Sequence, residues 1–300
     1  MPDTSMNENI RSRKVCLFAH FSQSQSLSAS VLHYLAQLVQ CGLSVHVALS
    51  GMERLDGPDR EILDELGIAA YPRPNEGLDF GAWQYLMRTG CADEADHVFL
   101  ANDSVFGPIR DLAPIVATMQ SRGLDVWGMV ESHEISWHLQ SWFICLTRAA
   151  LARPAIARVF GMPFTQMDKA EIILHGEIGL GTAIRTEALS WGACLPDRRR
   201  GLRKLIAANP MHVDWVSVLA CGQVPFIKVE LLRDNPARIP WFGLWPEMLR
   251  RHGDFPEAWI HARITPAEAS RTTSSLRMRL LYVLLSRDRL QALRSVIAPS

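Results

Sequence analysis

The six cysteines of this sequence (Cys16, Cys41, Cys91, Cys145, Cys194, Cys221) include no CxxC pair, which argues against a zinc site or a disulfide framework. They are widely scattered, with Cys16, Cys145 and Cys221 inside apolar stretches, as expected of reduced, mostly buried thiols in a cytoplasmic protein. No apolar run reaches the roughly eighteen residues of a membrane span. Met1 to Lys14 is polar and lacks the apolar centre of a signal peptide. The chain is therefore expected to be soluble, or at most peripheral to a membrane. Its formal net charge is zero, with 31 Lys and Arg against 31 Asp and Glu. No global field draws nucleic acid to it, so any anion must be held by a local cluster. Repeats, low-complexity tracts and a GxGxxG fingerprint are also missing, and nothing supports a dinucleotide site. What is present is 48% hydrophobic and 21% charged residues over 300 positions, enough for one large α/β domain with or without a small appendage.

Strand and helix patterns alternate along the chain. Val15 to His20, Ser44 to Ser50 and Ile68 to Tyr71 read as strands. Between them, Ser28 to Gln40 has apolar residues at helical spacing, and Asp59 to Leu66 is a shorter helix. This pitch predicts a parallel sheet with helices on its faces. Beyond it, Gly81 to Thr89 reads as a helix, His97 to Ala101 as a strand and Asp111 to Ser121 as a helix. Asp125 to Val130 and Ser141 to Leu146 read as strands, and Ala149 to Phe160 as one helix. A long helix is expected to begin near Glu177, and Pro225 to Leu232 reads as a late strand or extended segment. The domain organisation implied is a flexible polar tail (1–14), a main domain (15–260) and a helical appendage (261–300).

In open sheets of this kind ligands collect at the carboxyl ends of strands, where the polar clusters fall. Asn102-Asp103-Ser104 follows the strand and delivers a carboxylate and two hydrogen-bonding side chains. Asp103 suits a divalent cation (Mg or Mn) on a diphosphate, with Asn102 and Ser104 orienting sugar or phosphate; the other reading is an Asx-type turn. Asn75, Gly77 and Asp79 precede a helix, where glycines admit a close ligand and an amino terminus favours phosphate. Asp79 is equally suited to cap that helix. Glu177, between Gly176 and Gly179, is the candidate general base, or an acid placed for a helix dipole. His138 is a weaker candidate base, or a hydrogen-bonded structural histidine. Lys228 and Arg233 suit a departing diphosphate, or pair with Glu230 and Asp234. Tryptophans such as Trp241 and Trp245 suit sugar stacking, though most are expected in the core. Arg198 to Lys204 carries five cations and no acid, and Thr265 to Ser300 carries six arginines against two acids. Both are solvated or docked segments, or contacts to a lipid-linked acceptor or anionic headgroups.

The order of motifs is more telling than any one of them. Asn75-x-Gly77-x-Asp79-Phe80-Gly81-Ala82-Trp83, Asn102-Asp103-Ser104-Val105-Phe106-Gly107-Pro108, Asp125-Val126-Trp127-Gly128, His138-Leu139-Gln140-Ser141-Trp142-Phe143, Glu177-Ile178-Gly179-Leu180 and Pro225-Phe226-Ile227-Lys228 together resemble the rhamnan synthesis protein F family over roughly residues 15 to 240. The resemblance implies a GT-A-like glycosyltransferase fold: α/β, with a mixed, mostly parallel sheet flanked by helices. It implies inverting transfer of L-rhamnose or a related 6-deoxyhexose from a nucleotide sugar, dTDP-rhamnose, to a lipid-linked or polysaccharide (O-antigen) acceptor. By the same resemblance Asn75, Gly77, Asp79, Asn102 and Ser104 lie near the donor, and His138, Gln140 and Trp127 near acceptor or sugar. Asp103 matches the second acid of the usual DxD motif, while Ala101 replaces the first; metal binding is then weak, or replaced by Lys228, Arg233 and backbone amides. The aspartate expected after the first strand is absent, and His20-Phe21-Ser22 stands there instead. Alternatives of the same fold use GDP-fucose or a UDP-hexose, and one of a different class is a non-catalytic glycan-binding or assembly partner.

Overall fold

Strand β1 (Lys14–Phe21) is an interior strand of the main sheet, and its burial shows why. Cys16 and Phe18 enter one apolar cluster while Val15, Leu17 and Ala19 enter another on the opposite face; burial alternating at period two on both faces belongs to a strand covered by helices on each side. The computed structural model describes residues 12–22, 25–197, 208–236, 238–239, 242–265 and 283. Within them, β1 pairs in parallel with β2 (Ser44–Ser50) and with β4 (His97–Asn102), and β2 pairs in parallel with β3 (Ala69–Arg73). Helix α1 (Ala29–Gln40) buries Val31, Tyr34, Leu35 and Leu38, one helical face, against the first cluster. Helices α2 (Gly57–Glu65), α3 (Leu78–Arg88) and α4 (Ala113–Gln120) follow their strands in turn, with the short strand β5 (Val105–Phe106) between β4 and α4.

The far half of the sheet supplies the antiparallel pairings of the mixed, mostly parallel sheet that the resemblance implies. Strands β6 (Val126–Ser132), β7 (His138–Leu139), β8 (Phe143–Thr147) and β9 (Trp191–Leu195) complete it in the order β3-β2-β1-β4-β8-β6-β7, with β9 pairing β6. Strand β8 runs antiparallel to both β4 and β6, whereas β9 runs parallel to β6. The result is a mixed, mostly parallel sheet flanked by helices. The segment read as one helix is split into α5 (Arg148–Leu151) and α6 (Pro154–Phe160), because Pro154 cannot donate a backbone hydrogen bond to a preceding turn.

The helix expected to begin near Glu177 begins earlier. Helix α7 (Lys169–Ile172), capped by a reciprocal Asp168–Glu171 box, runs through a π-helical turn (Ile173–Ile178) into α8 (Gly179–Thr186), so Glu177 lies inside a helical run rather than at its start. The expected late strand is also shorter: β10 (Ile227–Lys228) pairs antiparallel with β5, and α11 (Val229–Asp234) follows at once. Around that two-stranded sheet, α9 (Pro210–Val213), α10 (Trp215–Cys221), α12 (Trp245–His252) and α13 (Glu257–Arg263) build a third apolar cluster with Trp215, Phe242, Trp245, Leu249 and Ile260 buried. Helix α13 thus runs across residue 260, where an appendage was expected to start. Trp245 is core, while Trp241, the basic run 198–204 and, Val283 apart, residues 266–300 lie outside the described residues. Cys221 is exposed at the end of α10, unlike the buried Cys16, Cys145 and Cys194. Among the described residues no helix is long and apolar enough to cross a membrane.

Candidate functional site

The chain leaves β1 toward β2 on one side and returns to β4 on the other. The carboxyl ends of β1 and β4 therefore form a topological switch point, where two loops part and leave a crevice. Ala19 and Asn102 are partners in the register, so the residues following them, His20 and Asp103, are brought side by side. A cleft of about 560 Å³ opens here. It is lined by Asp79, Asn102, Asp103, Ser104, His138, Glu177, Lys228 and Arg233, eight expected residues drawn from distant parts of the chain.

The turn after β4 combines both expectations for it. Asn102 accepts the Ser104 backbone N–H (3.0 Å) and hydroxyl (2.7 Å) at Oδ1, and donates from Nδ2 to Asp79 Oδ2 at 2.6 Å. This is an Asx turn with its side chain fully committed, so Asn102 shapes the cleft floor while Asp103 and Ser104 face the cavity. Asp103 Oδ2 accepts from His20 Nδ1 at 2.6 Å and from Arg263 Nη2 at 2.7 Å. Burial alone would raise the Asp103 carboxyl, but the charges of Arg263 and His20 outweigh it and hold the group below the usual carboxylate range. Nε2 of His20 is buried without a partner among the described residues. Asp79 goes the other way: burial, then the neighbouring charge of Asp103, push its carboxyl up to about 7.

Asp79 sits in the first turn of α3, whose start is set by Gly77 at φ 71°. A Cβ on Gly77 would stand 3.0 Å from both Gly81 Cα and the Phe164 carbonyl carbon, so the left-handed turn and the close packing both require glycine. The capping position is Gly77 itself, and Asp79 makes no side-chain cap. Asn75 is exposed, and neither it nor Gly77 lines the cleft; they build the turn that delivers Asp79.

Glu177 is brought in by close helix packing. A Cβ on Gly176 would meet the Phe80 ring at 2.8 Å, and one on Gly181 would meet the Trp137 carbonyl oxygen at 2.6 Å. With those side chains absent the run lies against β7, and Glu177 Oε1 accepts the Ser141 N–H at 2.6 Å. His138 Nδ1 donates to the Ser136 carbonyl at 2.9 Å. Lys228 Nζ stands 3.4 Å from Ser104 Oγ and 5.8 Å from the centroid of Trp142. Its burial lowers the ammonium, against the raising influence of Glu177 and Asp79. Arg233 lies at the exposed rim and is paired with Asp234 through Nη2 at 2.7 Å.

Two expected ligand contacts are instead structural. Trp127 is 2% exposed and packed on Phe99 and Phe143 at centroid distances of 5.7 Å, too deep in the core to stack on a sugar. Gln140 accepts from Trp142 Nε1 at 2.8 Å and donates to Asn209 Oδ1 at 3.0 Å, bracing two residues that do line the cleft. Conversely, His20 and Arg263 were not singled out as site residues. His20 was visible as the polar end of β1; for Arg263, 160 residues from Asp103 in sequence, no local signal exists.

A divalent cation at Asp103 fits poorly. Oδ2 of Asp103 already accepts two donors, and among the described residues no group of three His, Cys, Asp or Glu is placed to hold a metal ion. A hard cation needs several oxygen ligands, and the second acid, Asp79, is tied to Asn102.

Comparison with known proteins adds the lineage. Virulence protein VirA of Vibrio anguillarum is 26% identical over 199 residues, covering 56% of this chain and 63% of that protein. The chain thus spans less than two thirds of the length of that relative. Among solved structures, the mannosyltransferase Ktr4p of S. cerevisiae has 7% identity and a TM-score of 0.35, covering 60% of this chain and 68% of that one. S. aureus TarS 1-349 has 12% identity and a TM-score of 0.40, covering 93% and 83%. The model of rhamnan synthesis protein F matches residues 49–295, and the chain belongs to that family.

Proposed function

We propose that the protein is a GT-A-like glycosyltransferase of polysaccharide synthesis, moving L-rhamnose or a related 6-deoxyhexose from a nucleotide diphosphate sugar to a glycan acceptor with inversion. The observation that carries the reading is the convergence of Glu177, Lys228 and Asp103 in one strand-end cleft of a rhamnan synthesis family member. In this reading the acceptor hydroxyl attacks the anomeric carbon from the face opposite the leaving group. Its proton passes to the Glu177 carboxylate, held by the Ser141 N–H, so the base is fixed before the acceptor arrives. The new carbon–oxygen bond forms as the anomeric carbon–phosphate oxygen bond breaks, and the nucleoside diphosphate leaves with the electron pair. Lys228, half-buried and close to Ser104, stabilises the charge that develops on that diphosphate. His138, beside the same cavity, orients the acceptor. In the same reading the enzyme meets its lipid-linked or polysaccharide acceptor from the cytoplasmic side.

The test is transfer of radiolabelled sugar by the purified protein from dTDP-rhamnose, GDP-fucose and UDP-hexoses. Glu177→Gln is expected to lower turnover by about a hundredfold or more while leaving nucleotide affinity in place. Full turnover in both Glu177→Gln and Lys228→Ala would overturn the assignment. Glycan binding without turnover of any donor would favour a non-catalytic assembly partner.

A further inference from the structure

We propose that the donor diphosphate is held without a divalent cation, by the paired cations Arg263 and Lys228, and that Asp103 serves to fix the Arg263 guanidinium. This inference rests on the transferase reading and names how its site holds the leaving group.

One oxygen of the acid that stands where a metal ligand is expected is already occupied. Its side chain is 12% exposed, and one of its oxygens takes both the His20 ring N–H and the Arg263 guanidinium at charge-assisted distances. A magnesium or manganese ion arriving at that oxygen would have to displace Arg263 or His20. Displacing His20 would strand a buried ring nitrogen, and displacing Arg263 would break a charge-assisted, part-buried pair. The neighbouring acid, Asp79, offers no second ligand on the same terms, since its Oδ2 accepts from Asn102.

Arg263 is held firmly. Helix α13 is anchored by the fully buried Ile260 in the third apolar cluster. The guanidinium carbon lies 5.5 Å from the centroid of Phe106, and the side chain is 19% exposed. A guanidinium carries five N–H donors in a rigid fork suited to phosphate oxygens. With Asp103 taking one hydrogen of Nη2, donors remain for a phosphate in the cleft that Arg263 lines. Lys228 lines the same cleft, fixed near Ser104 Oγ and Trp142. Two side-chain cations thus bring the charge that a divalent ion brings elsewhere. They come from the third-cluster part of the chain, beyond the main sheet.

The deciding experiment is calorimetric titration of the full-length protein with dTDP, GDP and UDP, once in excess EDTA and once in excess MgCl2 or MnCl2. Whichever nucleotide binds is expected to show the same Kd within about threefold in both conditions. Arg263→Gln is expected to weaken that binding by about tenfold or more in both, with partial recovery in Arg263→Lys. MnCl2 alone is expected to give no saturable heat. Nucleotide binding that requires Mg2+ or Mn2+, or Arg263→Gln binding as tightly as the unsubstituted protein, would overturn the inference while leaving the transferase reading intact. Failure of every nucleotide in every condition would overturn both. Should Arg263→Gln fail to fold, the EDTA comparison on the unsubstituted protein decides alone.

Discussion

Asp79 is the acid of the cleft whose proton is held into the neutral range. Its carboxyl, pushed by burial and by Asp103 to about 7 from 3.8, binds a proton in the folded state over a window in which the unfolded chain has released it. Stability from this group is therefore full below the unfolded value, declines as pH rises through the window, and is lost above about 7. Asp79→Asn keeps an acceptor for Asn102 and removes the titration. The margin of the variant over the parent in urea unfolding should then widen from pH 5 to pH 8, by something on the order of 1 kcal/mol once solvent screening is allowed for. Trp127→Ala tests a second single-residue claim. A buried indole packed between two phenylalanines should cost about 3–5 kcal/mol in unfolding free energy; a sugar-stacking residue would cost little stability and mainly raise the donor KM. At this scale the sequence was partly legible. Asp103 and Lys228 stand out as charges at strand ends and Glu177 as a charge beside a glycine, and all three line one cleft with Ser104. Trp127 does not declare its burial, because an aromatic on a strand faces core or cleft according to which neighbours cover it.

Glycine in a helix normally weakens it, and replacing one by alanine gains up to about 1 kcal/mol. In the run that carries Glu177 the sign should reverse. Gly181→Ala would force a methyl to within 2.6 Å of the Trp137 carbonyl oxygen, moving α8 from β7 and Glu177 from Ser141. A loss of roughly 1–3 kcal/mol by chemical unfolding, together with a fall in kcat larger than any rise in KM, is the expected result. Unchanged stability in this variant would show that the helix has room to shift. The π-helical turn at Ile173–Ile178 fits this packing, since such turns accommodate an extra residue where a side chain must be re-aimed. Elements set by local periodicity, β1, β2 and α1, were readable within a residue or so. The antiparallel insertion of β8 was not, because alternation of apolar residues is the same whichever way a strand runs. The start of α7 was missed because the glycines near Glu177 look like a helix boundary, when their role is to let one element lie against another.

At the scale of the whole molecule, the cleft is assembled by two layers. The sheet supplies Asp103 and, with its flanking helices, Asp79 and Glu177. The part built on the third apolar cluster supplies Lys228 and Arg263. Ending the chain after residue 256 would remove α13 with its buried Ile260 and leave Trp245 and Phe255 partly uncovered. Such a chain should melt several degrees lower and bind nucleotide more weakly than Arg263→Gln alone, as read by thermal unfolding and calorimetry side by side. Parent-like binding by the shortened chain would detach α13 from the site. The Asp103–Arg263 pair has a temporal consequence as well. On the ribosome the sheet strands through β9 emerge well before α13, and the pair spans 160 residues of sequence. A nascent or prematurely ended chain without α13 leaves Asp103 with His20 but not Arg263 as a side-chain partner. If Arg263 holds the donor diphosphate as proposed, such a chain should bind nucleotide more weakly than one in which α13 has docked.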